Sequence, residues 1–172
     1  DFLTTDSTGT ERVLKALSIG KINAPVLTAG RMPEKGDECL ADAQKYGAED
    51  VGTVITVTDG GETADNLKYS EYTIVGLCQS PLYLSHERGT TTLRGGSVAA
   101  FVYIPEDGFD FQAYTDLYIV IDKQGEIFSD RYSAEIDAMR DDMEARLEQR
   151  AELRYEEIAD DAQSAVDDAQ KE

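Results

Sequence analysis

The sequence is poor in the residues that build metal centres and disulfide frameworks. It has one histidine, His86, two cysteines, Cys39 and Cys78, and no tryptophan among 172 residues. A zinc site needs about four imidazole or thiolate ligands, so no metal site is expected. The phosphate-binding pattern GxxxxGK[ST] is also missing, and we expect no cofactor. Two cysteines are too few for a disulfide framework, and each lies in a predicted strand, where a small buried thiol is the commoner state.

Basic residues are also scarce. The chain has 16 lysines and arginines against 35 aspartates and glutamates, a formal charge of -19. Phosphate backbones are bound by basic surfaces, so nucleic acid is not an expected partner. An anionic membrane surface is disfavoured for the same reason. The simplest interpretation of the acidity is a well-solvated surface.

Long hydrophobic segments are missing too. The longest apolar run covers residues 98–104, whereas about 20 residues are needed to cross a bilayer. No basic and then apolar signal segment opens the chain. We therefore expect a soluble piece of a larger protein.

The most informative stretch is residues 72–105. Residues 72–77 and 98–104 are rich in β-branched and aromatic side chains, which predicts two core strands of one sheet. Between them, Pro81 and three glycines favour a long loop outside the sheet. The polar side chains of this loop are the candidate partner contacts, namely Arg88, Thr90, Thr91 and Arg94.

Shorter patterns complete the predicted domain. Strands are expected at residues 38–41, 53–58 and 117–121, the last one buried on both faces, with an irregular hairpin tip at residues 59–66. Short helical turns are expected at residues 11–17 and 42–46. Gly30 is expected to have a backbone geometry that other residues resist, and Arg31 to be held in the turn by carbonyls or a carboxylate. Phe109 and Phe111 are expected to fold back onto the core.

Residues 126–172 contain neither glycine nor proline and predict one long helix from about residue 129. Its apolar positions recur at an average spacing near 3.7, which is typical of a helical stripe. The fold class is therefore α+β, a small mixed β-sheet domain with short helices and a long protruding C-terminal helix. The expected domains are residues 1–125 for the core and residues 126–172 for the helix, the first arm of a coiled-coil extension.

One flank of the helical stripe is basic and the other is acidic. The basic row consists of Arg146, Arg150 and Arg154, and we treat these arginines as further partner-contact candidates. An antiparallel pair of identical helices would place arginine opposite arginine. The hypothesis is therefore a returning helix of the same polypeptide that places acids opposite this row. The alternative is a solvated single helix, since exposed charge pairs contribute little.

Catalysis is not expected. His86 has a serine and a glutamate nearby in sequence, but triad residues converge from separate places, and neighbours in an extended chain point in opposite directions. Acidic pairs in the helix are interpreted as a solvated face.

The order strand, VGxxxSP, aromatic, RGTT, Gly-Gly-Ser, strand, preceded by GRMPEKGDECLAD at residues 30–42, resembles the extracellular region of FtsX-like ABC transporter permeases, the MacB-like periplasmic core domain. The resemblance covers roughly residues 22–170. The long helix is more typical of the Gram-positive members that carry coiled coils. If the chain is exported as the resemblance implies, the environment would allow one disulfide bridge, between Cys39 and Cys78.

The resemblance implies a segment between the first two membrane spans of a permease at the outer side of the cell membrane. Its expected partners are an ABC ATPase subunit, reached through membrane segments, and a second permease half or copy. The resemblance also allows an extracellular protein, or a lipid or peptide substrate, as a further partner. The domain would couple ATP-driven motion to export or to an extracellular partner. The alternative is a free-standing extracellular module for ligand binding or adhesion.

Overall fold

The computed structural model describes residues 1–5, 9–58, 66–94, 96–111, 115–121 and 126–169, in two units, Asp1–Val120 and Ile121–Glu172. In the described part of the first unit, Ala48–Asp50 and Glu106–Gly108 form single-turn 3-10 helices, and in that of the second unit Asp130–Ala169 forms a long helix, α1. The small α+β architecture with a mixed sheet and a long helix agrees with the prediction. The strands of the first unit are β1 (Phe2–Thr5), β2 (Glu11–Ser18), β3 (Val26–Gly30), β4 (Glu38–Asp42), β5 (Val54–Thr58), β6 (Glu71–Gln79) and β7 (Ala100–Ile104).

Six of the strands close into a small barrel. Around the ring, β1 pairs with β2, β2 with β7, β7 with β4, β4 with β6, β6 with β5, and β5 again with β1. Two of these pairs, β2 with β7 and β4 with β6, are parallel, and the others are antiparallel. The remaining strand, β3, pairs only with the second half of β6. Closure leaves β3 as the one strand of the described sheet with a single neighbour.

The barrel has apolar residues packed on both of its surfaces at β7. Ala100, Val102 and Ile104 belong to a cluster with members from all six barrel strands, which is the barrel interior. Phe101 and Tyr103 belong to a second cluster, with Leu40 and Cys78, on the outer surface. Alternate side chains of a strand point to opposite faces, so this division follows from the period of two. The prediction of two core strands in one sheet at residues 72–77 and 98–104 is confirmed.

The turn that leads from β3 to β4 depends on Gly30. Its φ is +76°, and a Cβ at this position would collide with the backbone of Val75 and Gly76 in β6. Immediately after it, both terminal nitrogens of Arg31 donate to the carboxylate of Glu38, at 2.6 and 2.8 Å. Arg31 also donates to the carbonyl of Met32. Both expectations for this turn, the unusual glycine and the restrained arginine, are confirmed.

Other local predictions are wrong. Residues 11–17 belong to β2, because pairing with β1 and β7 outweighs the weak helical pattern. Residues 42–46 form a hydrogen-bonded turn at the end of β4 instead of a helix. The expected strand at 117–121 is absent: its side chains from Leu117 to Val120 are 48–71% exposed. Its apolar, β-branched composition favours a strand, but no described strand pairs with it.

Three further predictions concern β5, β6 and the residues after β7. The antiparallel hairpin of β5 and β6 is confirmed, and most of its expected tip, residues 59–65, lies outside the described residues. Phe109 packs against the core as expected. The Phe111 ring contacts the Phe109 ring in a tilted arrangement, with 5.8 Å between centroids, but stays 46% exposed.

The long helix is confirmed as α1, which has 40 residues and a length of about 60 Å. The hydroxyl of Ser129 accepts a hydrogen bond from the backbone N–H of Tyr132, as expected of a residue that caps a helix. Every residue from 144 to 164 is exposed. Among the described residues, no helix combines the length and apolar character needed to cross a membrane.

Candidate functional site

The candidate site is a groove beside the loop that joins β6 to β7. The loop begins at Ser80, whose hydroxyl lies 2.7 Å from that of Tyr103 and also accepts the backbone N–H of Leu82. The Tyr103 hydroxyl in turn donates to the carbonyl of Asn23, just before β3. These hydrogen bonds fix the start of the loop against β7 and against the turn that precedes β3. Pro81 follows in the turn, as its missing N–H requires.

Arg88 fixes the middle of the same loop. Its Nε donates to Oδ2 of Asp42 at 2.6 Å, and its Nη2 donates to Oδ1 at 3.0 Å. Further hydrogen bonds reach the side-chain oxygen of Gln44 and the carbonyl of Ser85. Both charged side chains are only 2% exposed. A buried two-point ion pair of this kind requires both partners, because either charge alone would be left in a poorly solvating environment.

Two aromatic rings complete the surroundings of Arg88. Tyr83 and Phe101 stack with centroids 5.0 Å apart, and the guanidinium carbon lies 5.2 and 5.4 Å from the two centroids. A cation over an aromatic face gains electrostatic energy that increases when water is excluded. Burial raises the pKa of the Tyr83 hydroxyl, and the positive charge of Arg88 acts in the opposite direction. Tyr83 therefore stays a neutral hydroxyl at ordinary pH.

The groove has a volume of about 370 Å³, within the range of ligand sites. Its polar lining consists of Asp42, Gln44, Gln79, Ser80 and Arg88. Its apolar lining consists of Val26, Pro81, Tyr83, Leu84 and Phe101. The only charges among these residues are those of the Arg88 and Asp42 pair, which neutralise one another. The groove can therefore offer amide and hydroxyl groups beside apolar surface, but it offers no net charge.

The loop residues predicted as partner contacts do not share one environment. Arg88 is buried, which corrects its expected place outside the sheet: although the loop leaves the sheet, its guanidinium returns to pair with Asp42 at the end of β4. Thr90 is exposed and forms an isolated bridge with Ser97, whereas Thr91 is half-buried. The side chain of Arg94 is 65% exposed and pairs with Glu11 at 3.0 Å. Thr90 and Arg94 remain available at the surface.

The three helix arginines are all exposed, with partners on their own helix. Arg146 pairs with Asp142 at 2.9 Å. Arg150 and Arg154 both pair with Glu157, at 3.5 and 3.1 Å. The hydrogen bond from Arg154, together with the charge of Arg150, lowers the pKa of the Glu157 carboxyl. The arginine row thus has acidic partners on its own helix. The hypothesis of a returning helix stays a prediction.

The remaining candidate groups are one exposed histidine and two buried thiols. His86 is exposed, and the neighbouring Ser85 hydroxyl accepts the backbone N–H of Glu87. Cys39 and Cys78 are free and buried, and burial raises the pKa of each thiol to about 12. Such thiols stay protonated and are poor nucleophiles. Within the described ranges, no group of three or more His, Cys, Asp or Glu side chains could hold a metal ion.

Sequence patterns singled out Arg88 but missed the residues around it in the groove. Asp42 and Arg88 are 46 residues apart, whereas Gln44 in the turn after β4 and Gln79 at the end of β6 are unremarkable polar residues. The local signal was a carboxylate directly after the apolar run at residues 39–41, because a buried acid needs a partner. Comparisons of the chain with protein families, with curated proteins and with solved structures found no match.

Proposed function

We propose that this chain is the extracellular domain of an FtsX-like ABC transporter permease, which couples ATP-driven motion in the membrane to export or to an extracellular partner. The observation that carries the proposal is the combination of a closed barrel with a 40-residue helix whose surface from residue 144 to residue 164 is entirely exposed. A long exposed helix suits the transmission of movement. A closed barrel is suited to act as the rigid body that such movement displaces.

The residues behind the resemblance also support the proposal. The segment at 30–42 forms the turn held by Arg31 and Glu38 and then β4. The VGxxxSP segment forms the second half of β6 and the start of the loop beside the groove. These motifs thus occupy connected positions of one barrel. In this proposal the chain supplies binding and mechanical coupling, and the chemistry of ATP hydrolysis belongs to a separate subunit.

The coding sequence gives the first test. An apolar segment of about 20 residues on each side of this region would support a permease, and the lack of both would contradict it.

The second test is mechanical. Spin labels at Glu49→Cys in the barrel and Glu152→Cys in the helix, both exposed positions, would report their separation in the full-length transporter reconstituted in lipid discs. We expect ATP to shift the distance distribution. The matched control is a partner ATPase that cannot hydrolyse ATP. Identical distributions with and without ATP in the active complex would contradict mechanical coupling.

A free-standing extracellular binding module is the second candidate. The groove at Arg88 favours it, because its volume of about 370 Å³ lies within the range of ligand pockets and its lining combines amide, hydroxyl and apolar groups. A gene without flanking apolar segments, together with binding by the secreted chain, would select this candidate over the permease.

A further inference from the structure

The free edge of β3 is the starting observation. Among the described strands, each of the other six has neighbours on both sides, whereas β3 pairs only with β6. An unpaired strand edge presents a row of backbone donors and acceptors that another extended chain can satisfy.

Side chains do little to block this edge. The five residues of β3, VLTAG, carry no charge, in a chain of which 30% is charged. Val26 is 60% exposed and Leu27 is 38% exposed. Natural edge strands are commonly protected by charges, prolines or bulges. Here Pro25 precedes the strand and an irregularity at Leu27/Ala29 bends it, so the accessible edge is short.

The groove continues directly from this edge. Val26 lines the groove and pairs across the sheet with Gln79, which also lines it. Leu84, which also lines the groove, is 99% exposed. A chain that extends β3 would therefore bring a side chain over the groove. Main-chain pairing along an edge combined with a side-chain pocket is a recurring mode of peptide recognition.

We propose that the β3 edge and the adjoining groove form a binding site for an extended, uncharged peptide segment of a partner protein. The backbone of the peptide pairs with Val26–Gly30, and one of its side chains enters the groove. The lining selects an uncharged side chain, because Arg88 and Asp42 already satisfy one another and burying another charge beside them would be costly. Such a site would serve a permease domain and a free-standing module alike.

A peptide based on this chain supplies the probe. Residues 117–120, Leu-Tyr-Ile-Val, are uncharged and rich in β-forming side chains. The probe is acetyl-Ser-Leu-Tyr-Ile-Val-Ser-amide, titrated into the nitrogen-15-labelled chain while backbone amide signals are recorded. We expect the largest shifts at Val26–Gly30 and around the groove. The control peptide has proline in place of isoleucine, which removes a backbone donor, and we expect it to bind at least tenfold more weakly.

Two substitutions of matched exposure locate the site. Val26→Arg places a charge at the rim of the groove. Val54→Arg places the same charge on β5, outside the groove lining, where the original valine is 50% exposed. We expect Val26→Arg to weaken peptide binding at least tenfold and Val54→Arg to change it less than twofold. Gln79→Glu, also in the groove, is the second variant if Val26→Arg does not fold, and it should weaken binding as well.

Several results would overturn the proposal. One is an unshifted β3 at millimolar peptide, both for the probe and for a pool of uncharged hexapeptides. Equal binding of the proline peptide, or equal loss in Val26→Arg and Val54→Arg, would also contradict it. Without peptide, shifts at Val26–Gly30 that depend on protein concentration would assign the edge to a second copy of this chain instead of a partner protein.

Discussion

Two arginines show how differently the barrel and the helix use charge. In the barrel, Arg88 and Asp42 are 46 residues apart in sequence and 2% exposed. In the helix, Arg146 and Asp142 are four residues apart and 72% and 63% exposed. The first pair ties a loop to a strand and is almost fully buried, whereas the second lies on one solvated surface. Equal formal charges therefore have unequal consequences, because the surrounding solvent sets the cost of separating them.

The largest contrast is expected from removing each arginine. Arg88→Met leaves Asp42 buried without its partner and should lower the free energy of unfolding of the barrel by about 3–5 kcal/mol. Arg146→Met is the matched control and should cost about 0.3–0.5 kcal/mol. Urea unfolding followed by near-ultraviolet circular dichroism of the tyrosines measures the barrel, and the signal at 222 nm follows the helix. Equal losses in the two variants would contradict the comparison.

The second contrast separates two glycines with positive φ inside the barrel unit. Gly30→Ala puts a Cβ against the backbone of Val75 and Gly76 and should cost about 2–4 kcal/mol. Gly52→Ala is the control: its φ is +94°, but open space surrounds the added carbon. Backbone strain alone should make it cost about 1–2 kcal/mol. Thermal melts of both variants measure the difference, and equal melting temperatures would show that the close approach to β6 is unimportant.

A smaller effect, with a defined pH window, is expected at Glu38. The two hydrogen bonds from Arg31 are the main cause that lowers the pKa of this carboxyl from 4.5 to about 2. A lowered folded pKa stabilises the protein above the unfolded pKa, and this stabilisation is lost as the pH falls. Glu38→Gln should therefore melt at a lower temperature than the parent at pH 7. The difference should shrink between about pH 4.5 and pH 2. A difference that is constant over this range would contradict the assignment.

The smallest effect is expected from the helix row. Replacing Arg146, Arg150 and Arg154 with glutamine removes exposed pairs that salt screens. We expect a slight loss of helicity at 222 nm in low salt and none in 1 M salt, with the near-ultraviolet signal of the barrel unchanged. A large loss that persists in high salt would mean that the row holds the helix to a partner surface, in favour of the pairing hypothesis.

The sequence alone determined the elements whose causes are local. The helix follows from a long run of strong helix formers without glycine or proline, and α1 occupies residues 130–169 as this run predicts. The core strands β6 and β7 follow from dense β-branched and aromatic composition. The turn at Gly30 and Arg31 was also predictable, because both causes lie within a few residues of it. The charged rows of the helix were visible for the same reason.

Only the tertiary structure decided what depends on distant residues. Residues 11–18 became a strand because β1 and β7 accept their backbone hydrogen bonds, whereas residues 117–120 found no described strand to pair with, despite a stronger β pattern. The burial of Arg88 depends on Asp42. The groove depends on where β3 attaches to β6, outside the closed ring of six strands. Local composition sets which conformations a segment favours, but pairing and burial are settled by partners that a single sequence does not identify.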